Sequence, residues 1–400
     1  MRLIDIAYFL FIVSASLDPT GYHTRLKDVM FVILVVYGLL YCMKRRPYLA
    51  TINRVTVISF LLLPVWGMFI AYISGNLTAA PYATGQIRSM FYVLIFFFIV
   101  TMRVDILLKI VWINGIILSV VTLVMFFLAQ SDPILMEIIY DYCVTSNNFL
   151  MAANRNFLGF AVNGLWMRGG SLIIFAFVYN LYQYDGPFKT VLSVILFLAL
   201  FFAGSRTPML VQTLILLVYL YDKNVIGKFF TRLSALMVLF GFVTLVFLLA
   251  TQENEDSNEL KYENFYSYVD DICEGGHAIW GAGVGSEFYA KGRDEKLPYS
   301  ELSYMDIIRM YGFPVGLCFI FLFFAPYFWL WRFFPKSLFL NRYALGYVLF
   351  LILSGTNPLL LGSIGLTGLT LFMVLVNKTS ELSEEERERS ELVIDGYLLK

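Results

Sequence analysis

Long apolar segments follow one another along almost the whole chain, and they limit what it can fold into more than any other feature. A helix that crosses a bilayer needs about 20 mostly apolar residues, because its backbone groups must be hydrogen-bonded within the hydrocarbon. The segments lack the strict alternation of barrel strands, so the pattern predicts an all-α, polytopic membrane protein with about 12 transmembrane helices. They fall near residues 3–17, 28–43, 55–74, 89–102, 105–129, 171–184, 189–204, 207–222, 232–250, 303–330, 343–357 and 361–377.

Composition and charge exclude several classes of function. Charged residues make up 14% of the chain and hydrophobic residues 59%, whereas soluble domains carry about 25% charged residues. Lys and Arg number 29, as do Asp and Glu, so no net field favours nucleic acid as a partner. The two histidines and four cysteines have neither C-x-x-C nor H-x-x-x-H spacing, so we expect no metal site.

Basic residues in the short connections predict the orientation of the chain. They follow the second, fourth, eighth and tenth segments, and short basic connections stay in the cytoplasm. We therefore expect both termini to be cytoplasmic, with a transmembrane domain over residues 1–378, whose first segment is a retained helix, and an acidic tail over 379–400. The clusters are Lys44, Arg45, Arg46 and Arg54; Arg103; Lys223, Lys228 and Arg232; and Arg332, Lys336 and Arg342.

Two long segments, 131–170 and 251–302, are predicted on the opposite side of the membrane. Loops longer than about 15 residues are usually functional or disordered. The second contains twelve acidic and four basic residues, so it is not expected to adhere to anionic lipid head groups. We therefore expect the functional chemistry at the non-cytoplasmic face.

Arg206 lies in a candidate phosphate site between the seventh and eighth segments. The sequence Gly204-Ser205-Arg206-Thr207-Pro208 predicts a hinge where helix continuity breaks, which frees backbone N–H groups beside a guanidinium. Such an arrangement suits a phosphate or diphosphate, because arginine donates a bidentate fork. The alternative is an ordinary turn whose arginine reaches lipid phosphate.

Glu301 and Arg309 form a second candidate pair at the start of the tenth segment. They lie about 80° apart around a helix and about 12 Å apart along it, so both can border one cavity. Asp306 offers a simpler explanation of Arg309, since it can neutralise the arginine at i, i+3. Glu301 has no such partner nearby, although an acid at a helix start also serves as a cap.

Three further arginines are predicted on the same side. Arg155 and Arg168 flank an apolar stretch, Phe157 to Met167, that is too short to span a bilayer. A re-entrant or surface helix presenting both arginines fits this pattern, as does simple interfacial anchoring. Arg88 opens the fourth segment. An apolar vestibule ringed by arginines predicts an anionic, lipid-linked substrate.

A glycine-rich run, Gly281-Ala282-Gly283-Val284-Gly285, resembles part of a dinucleotide-binding fingerprint. It lacks the βαβ context of that motif, so we reject a nucleotide cofactor. The run predicts instead a close backbone approach that lets the loop fold back over the membrane face. His277, just before it, is either a proton-transfer group or an ordinary loop histidine.

Three features occur in an order that resembles the bacterial O-antigen polymerase and O-antigen ligase superfamily. They are the hinge Gly204-Ser205-Arg206-Thr207, the outer loop with Trp280 to Gly285, and the segment from Glu301 to Gly312 with Phe313-Pro314-Val315-Gly316-Leu317 after it. The resemblance implies a GT-C-like fold with one large periplasmic loop in the bacterial inner membrane. It also implies an inverting glycosyltransferase that joins oligosaccharide units linked to undecaprenyl diphosphate.

The resemblance also suggests roles for individual residues. Arg206 matches the hinge arginine of the family and is expected to hold the donor diphosphate. Ligases of the family carry a histidine where this chain has Glu301, so a polymerase is favoured. Glu301 is then the expected base, with His277 the other candidate, and Arg206 and Arg309 stabilise the leaving group. The predicted substrate-binding residues are Arg88, Arg155, Arg168, His277 and Tyr304. No metal or cofactor is expected; the expected partners are the lipid-linked oligosaccharide, membrane lipid and a chain-length regulator.

Two other classes of protein compete with the enzyme. A flippase or other transporter is expected to carry charged residues deep in both halves and to have short outer loops, and many transporters contain duplicated halves. This chain concentrates charge at one face, and we find no convincing internal repeat. A structural membrane protein has no need of an arginine ring. The sequence therefore favours the enzyme.

Overall fold

A computed structural model of the chain describes residues 3–19, 24–145, 150–157, 160–202, 206–224, 256–300, 302–333 and 337–381. Two antiparallel hairpins accompany the helices, β1 (Leu150–Phe157) with β2 (Phe160–Met167) and β3 (Phe288–Ala290) with β4 (Glu295–Leu297). The described helices are α1 (Leu3–Leu17), α2 (Leu26–Arg45), α3 (Thr51–Ile73), α4 (Ala80–Met90), α5 (Ile95–Ile99), α6 (Val104–Ser131), α7 (Pro133–Thr145), α8 (Ile173–Tyr182), α9 (Lys189–Phe201), α10 (Arg206–Asp222), α11 (Asp256–Cys273), α12 (Ser303–Phe333), α13 (Leu338–Gly355) and α14 (Ser363–Glu381).

The fold is nearly all-α, and several of its helices are those of a membrane protein. Within the described ranges, six helical stretches are long and apolar enough to cross a bilayer, and three shorter apolar helices accompany them. Helices overlap eleven of the twelve predicted segments; the segment at 232–250 lies outside the described residues. The count of twelve spans and the GT-C topology remain predictions. The six stretches are Leu26–Arg45, Thr51–Ile73, Ala80–Ile99, Val104–Ser131, Ser303–Trp331 and Leu338–Gly355.

Helix α14 lies at the centre of the fold. Every residue from 363 to 377 is buried, the pattern of a helix surrounded by others on all sides. Its Phe372 ring stacks on Tyr347 of α13 with centroids 4.2 Å apart. Near its end, Asn377 accepts a hydrogen bond from the Ala50 amide and donates to the Tyr48 carbonyl oxygen, both at 2.8 Å. These bonds fix the start of α3 against the core.

The prediction of a helix over Phe157 to Met167 is wrong. Phe157 ends strand β1 and Phe160 to Met167 form strand β2, while residues 158–159 lie outside the described ranges; the register pairs Asn154 with Asn163. Asn163 and Gly164 interrupt the stretch with two poor helix formers, and pairing with β1 satisfies its backbone without a helix. The loop over 131–170 thus folds as a short helix, α7, followed by a hairpin.

Helix α12 breaks near its start, and the glycine-rich run fills the break. Gly312 has φ 73° and ψ 168° inside the helix, and Pro314 has no N–H to donate to the Met310 carbonyl. The Gly283 amide donates to that oxygen instead, at 3.0 Å, and the Ala282 amide donates to the Arg309 carbonyl oxygen at 2.8 Å. Both carbonyl oxygens freed by the break therefore accept hydrogen bonds from amides of the glycine-rich run.

The close approach predicted from the glycines is confirmed. Gly283 has φ +85°, and a Cβ there would lie 2.3 Å from the Ala71 amide nitrogen of α3. The next amide, of Val284, donates to the Gly67 carbonyl oxygen of α3 at 2.9 Å. The run is thus wedged between α3 and the break in α12, where any side chain at Gly283 would collide with backbone.

We predict that Gly283→Ala destabilises the protein much more than Gly276→Ala. Both glycines have positive φ, but a Cβ at Gly276 would meet nothing within 4 Å. Gly276→Ala should cost about 1–2 kcal/mol from the backbone conformation alone, and Gly283→Ala about 1–3 kcal/mol more from crowding. Thermal unfolding of the two purified variants checks this; equal melting temperatures would show that the run is not wedged as described.

Candidate functional site

A cavity of about 340 Å³ lies where the ends of several helices meet. Its walls come from the α1–α2 connection, the starts of α2 and α12, helix α4, the turn after β2, and the α13–α14 connection. These parts lie far apart in sequence. The cavity carries three basic residues, Lys27, Arg88 and Arg168, and one acidic residue, Asp306.

The helix ends that meet at the cavity all lie at one end of the helical bundle. Helix α2 runs from Lys27 at the cavity to the basic residues Lys44 and Arg45, which places the two groups about 27 Å apart. Helix α3 returns across that distance, and α4 begins beside the cavity. The cavity therefore occupies the end of the molecule opposite the basic cluster at 44–46.

Lys27 is fixed by its neighbours rather than free in solvent. The side chain is buried, its ammonium donates to the Pro19 carbonyl oxygen, and it lies 5.3 Å from the centre of the Tyr92 ring. A cation over an aromatic face is attracted by the ring quadrupole. These contacts hold one positive charge in the cavity wall.

Arg168 contributes a second charge that its surroundings do not fully satisfy. Burial lowers the pKa of its guanidinium, and the neighbouring Tyr299 hydroxyl raises it. Its Nε atom is buried and has no hydrogen-bond partner in the part of the chain that the structure describes. A buried N–H without an acceptor costs about 1–3 kcal/mol, so the described residues leave this guanidinium incompletely hydrogen-bonded at the cavity wall.

Arg88 supplies the third charge, at the mouth. It pairs with Asp28 at 2.6 Å, and its side chain is 61% exposed. Asp28 therefore contacts only part of the guanidinium, and the exposed part remains accessible to an anion in the cavity.

Asp306 is the buried carboxylate of the cavity. The Tyr268 hydroxyl donates to its Oδ1 at 2.5 Å, and the Ser300 amide donates to the same oxygen at 3.4 Å. The carboxylate of Asp306 raises the pKa of Tyr268, though burial of the phenol contributes more. Neither hydrogen bond involves Oδ2. The carboxylate is thus oriented through one oxygen while the residue lines the cavity.

The structure brings two of the predicted substrate-binding arginines, Arg88 and Arg168, to this one cavity. Arg155 lies on β1, opposite Val162, and its side chain is outside the described residues. Arg206 is the first residue of α10, and its side chain is likewise not described. Glu301 lies outside the described residues; Tyr299 and Ser303, two positions to either side of it, line the cavity.

Arg309 is not among the residues that line the cavity; its side chain joins the outer segment to α12. It is fully buried, donates to Ser286 Oγ at 2.9 Å and to the Pro298 carbonyl oxygen at 2.7 Å, and packs over the Phe288 ring. Asp271 lies within 3.8 Å of its guanidinium. Asp306, the neutralising partner considered from the sequence, interacts electrostatically with Arg309 and also accepts hydrogen bonds from Tyr268 and Ser300.

His277 and Tyr304 also make contacts that hold the fold. The His277 Nδ1 atom lies 3.1 Å from the Asp271 carbonyl oxygen and 3.5 Å from its carboxylate. The Tyr304 hydroxyl donates to the Leu351 carbonyl oxygen at 3.0 Å, and its ring lies against Gly355. Neither residue is among those that line the cavity.

The sequence analysis missed Lys27, Asp306 as a cavity residue, and a stacked pair of tyrosines. The rings of Tyr82 and Tyr299 have centroids 5.1 Å apart and an interplanar angle of 11°, and both line the cavity. Lys27 carried only a weak signal, because a lysine near the end of a membrane segment usually extends to the interface. The tyrosine pair carried none, since its members are more than 200 positions apart.

No protein-family model matches the chain, and no curated protein matches its sequence significantly. Among the residues that the structure describes, no three His, Cys, Asp or Glu side chains lie close enough to hold a metal ion. The functional assignment therefore depends on the cavity itself and on the chemistry of its basic and acidic residues.

Proposed function

We propose that the protein is a membrane glycosyltransferase that joins oligosaccharide units carried on a lipid diphosphate, as an O-antigen polymerase does. The observation that supports this best is the convergence of Lys27, Arg88 and Arg168 from three separate elements on one cavity at a membrane end. A diphosphate is a compact, multiply charged anion, and arginine forks match its oxygens. Its lipid anchor would place it at this depth.

The three cations would act on the leaving group. When an acceptor hydroxyl oxygen attacks the anomeric carbon, the bond from that carbon to the diphosphate oxygen breaks, and the electron pair leaves with the diphosphate. Positive charges already fixed in place stabilise this developing charge without having to reorganise. Lys27 and Arg168, which are held by Pro19 and Tyr299, suit that role.

A carboxylate would accept the proton of the attacking hydroxyl. Glu301 remains the predicted base from the sequence, and Tyr299 and Ser303, two positions to either side of it, line the cavity. Asp306 is a second candidate, because it lines the cavity and is oriented by Tyr268. Direct attack with proton transfer to either group gives inversion at the anomeric carbon.

A flippase for lipid-linked oligosaccharides is the second candidate, and the break in α12 is the observation that favours it. Transporters often bind substrates at unwound stretches of helix. Here, however, the groups freed at Met310 and Arg309 are bonded by Gly283 and Ala282, so they are not available to a substrate. A deletion strain distinguishes the two: a polymerase leaves single repeat units on the surface, whereas a flippase leaves none.

Arg168→Lys should abolish long polysaccharide while the protein still inserts into the membrane. A lysine keeps the charge but loses the fork and the Nε donor, and loss of one such donor lowers turnover about 10²- to 10³-fold. The matched control is Arg103→Lys, an exposed arginine paired with Asp105 at the other membrane end. Gel analysis of surface polysaccharide in the complemented deletion strain measures the effect. Normal chain lengths in Arg168→Lys would remove this residue from the mechanism.

Asp306→Asn tests whether the cavity carboxylate is the base. Asparagine can still accept the Tyr268 hydrogen bond but cannot take a proton, so turnover should fall about 10²- to 10⁴-fold with substrate binding retained. Asp306→Glu should restore part of the activity, and Asp294→Asn, at an exposed acid bonded by Tyr289, should have no effect. Polymerisation by purified protein is the readout. Full activity of Asp306→Asn would leave Glu301 as the base.

A further inference from the structure

An apolar groove adjoins the cavity on the flank of α2 and α4. It measures about 410 Å³ and is lined by Phe31 and Val32 of α2 and by Ile87 and Phe91 of the spanning stretch Ala80–Ile99. Arg88 and Tyr92 line both the groove and the cavity. The two spaces therefore adjoin at these two residues, one space apolar and the other basic.

The junction between them is polar and held together by Asp28. The Asp28 carboxylate accepts hydrogen bonds from Arg88 at 2.6 Å and from the Tyr92 hydroxyl at 2.5 Å. Beyond this junction the groove presents half-exposed apolar side chains, with Val32 57% exposed and Phe91 44% exposed. These side chains lie on membrane-spanning helices, so hydrocarbon rather than water is the medium that suits them.

A second apolar hollow resembles the groove in size but not in its neighbours. It lies between α3 and α12, measures about 460 Å³, and is lined by residues that include Leu63, Val315 and Leu317. No charged residue lines it, and none of its lining residues lines the cavity. The groove and the hollow are therefore similar in size and apolar character. Of the two, only the groove shares lining residues with the basic cavity.

We propose that the groove between α2 and α4 binds the first isoprenoid units of a prenyl diphosphate whose diphosphate group occupies the cavity. The ligand has one charged end and one hydrocarbon chain, which matches a basic cavity and an apolar groove that share Arg88 and Tyr92. Arg88 sits at the junction, where the exposed part of its guanidinium contacts the diphosphate while Asp28 holds its other side. The inference rests on the proposed function, because it extends the substrate site from the diphosphate to its lipid.

Site-directed photo-crosslinking tests the location directly. The probe is geranylgeranyl diphosphate with a diazirine in its second isoprene unit, added to the full-length protein in phosphatidylcholine nanodiscs. Adducts should map to peptides of α2 and α4, and unlabelled geranylgeranyl diphosphate should compete them away while geranylgeraniol should not. Adducts in the hollow between α3 and α12 should show no such competition. Adducts that the alcohol removes equally well would indicate ordinary lipid occupancy and overturn the proposal.

Two matched variants test whether the groove is needed. Val32→Trp fills the groove and Leu317→Trp fills the hollow, and the two residues are 57% and 53% exposed. Val32→Trp should weaken geranylgeranyl diphosphate binding about tenfold, and Leu317→Trp should leave it unchanged. Binding of inorganic diphosphate should be the same in both, which shows that the cavity remains folded.

The outcomes separate the two proposals. If geranylgeranyl diphosphate binds equally well to both variants and its adducts lie elsewhere, the groove is not the lipid site, although the cavity can still hold the diphosphate. If neither prenyl nor inorganic diphosphate binds the unaltered protein, the proposed function fails and the inference fails with it.

Discussion

Where α12 breaks, the freed backbone groups need hydrogen-bond partners other than water. The positions of several cavity residues depend on which partners these groups find. In hydrocarbon, an unpaired N–H or C=O costs several kcal/mol. At the break near Gly312 and Pro314, the carbonyl oxygens of Arg309 and Met310 and the amide of Phe313 lack helical partners. Backbone groups of residues 278–283 form hydrogen bonds with all three. The outer segment is thereby fixed to the membrane domain through its main chain, and the Arg309 side chain adds hydrogen bonds to Ser286 and Pro298.

That attachment determines where the cavity residues lie. The short first part of α12 carries Arg309, which donates to the carbonyl oxygen of Pro298. The next residue, Tyr299, stacks on Tyr82 and lies beside the Arg168 guanidinium. One chain of contacts thus runs from the broken helix to a basic residue of the cavity. Arg309 would then be a positioning residue, acting on the cavity through Pro298 and Tyr299.

The local patterns in the sequence predicted much of this fold. Apolar segments marked eleven helices, and the glycines at 281 and 283 marked a close approach because positive φ and lack of a side chain are needed at the same positions. The hairpin at 150–167 was missed, because a short apolar stretch with polar neighbours fits a surface helix equally well until its pairing partner is known.

The cavity was less predictable because it is built from distant residues. Arg88 and Arg168 were singled out by charge, but nothing local indicates that they share a cavity with Lys27 and Asp306. The surroundings of Arg309 were unpredictable for a related reason. A charged residue in an apolar segment is expected to be functional, yet its partners, Ser286 and Pro298, come from a loop whose path the sequence does not reveal.

The account depends most on the basic cavity facing the non-cytoplasmic side. Single cysteines at Ser89, which lines the cavity, and at Arg103, at the opposite end, can be introduced after the four native cysteines are replaced. A membrane-impermeant maleimide added to intact cells should label the cysteine at position 89, and should reach position 103 only after the membrane is permeabilised. Labelling of position 103 in intact cells, with position 89 protected until permeabilisation, would contradict the account.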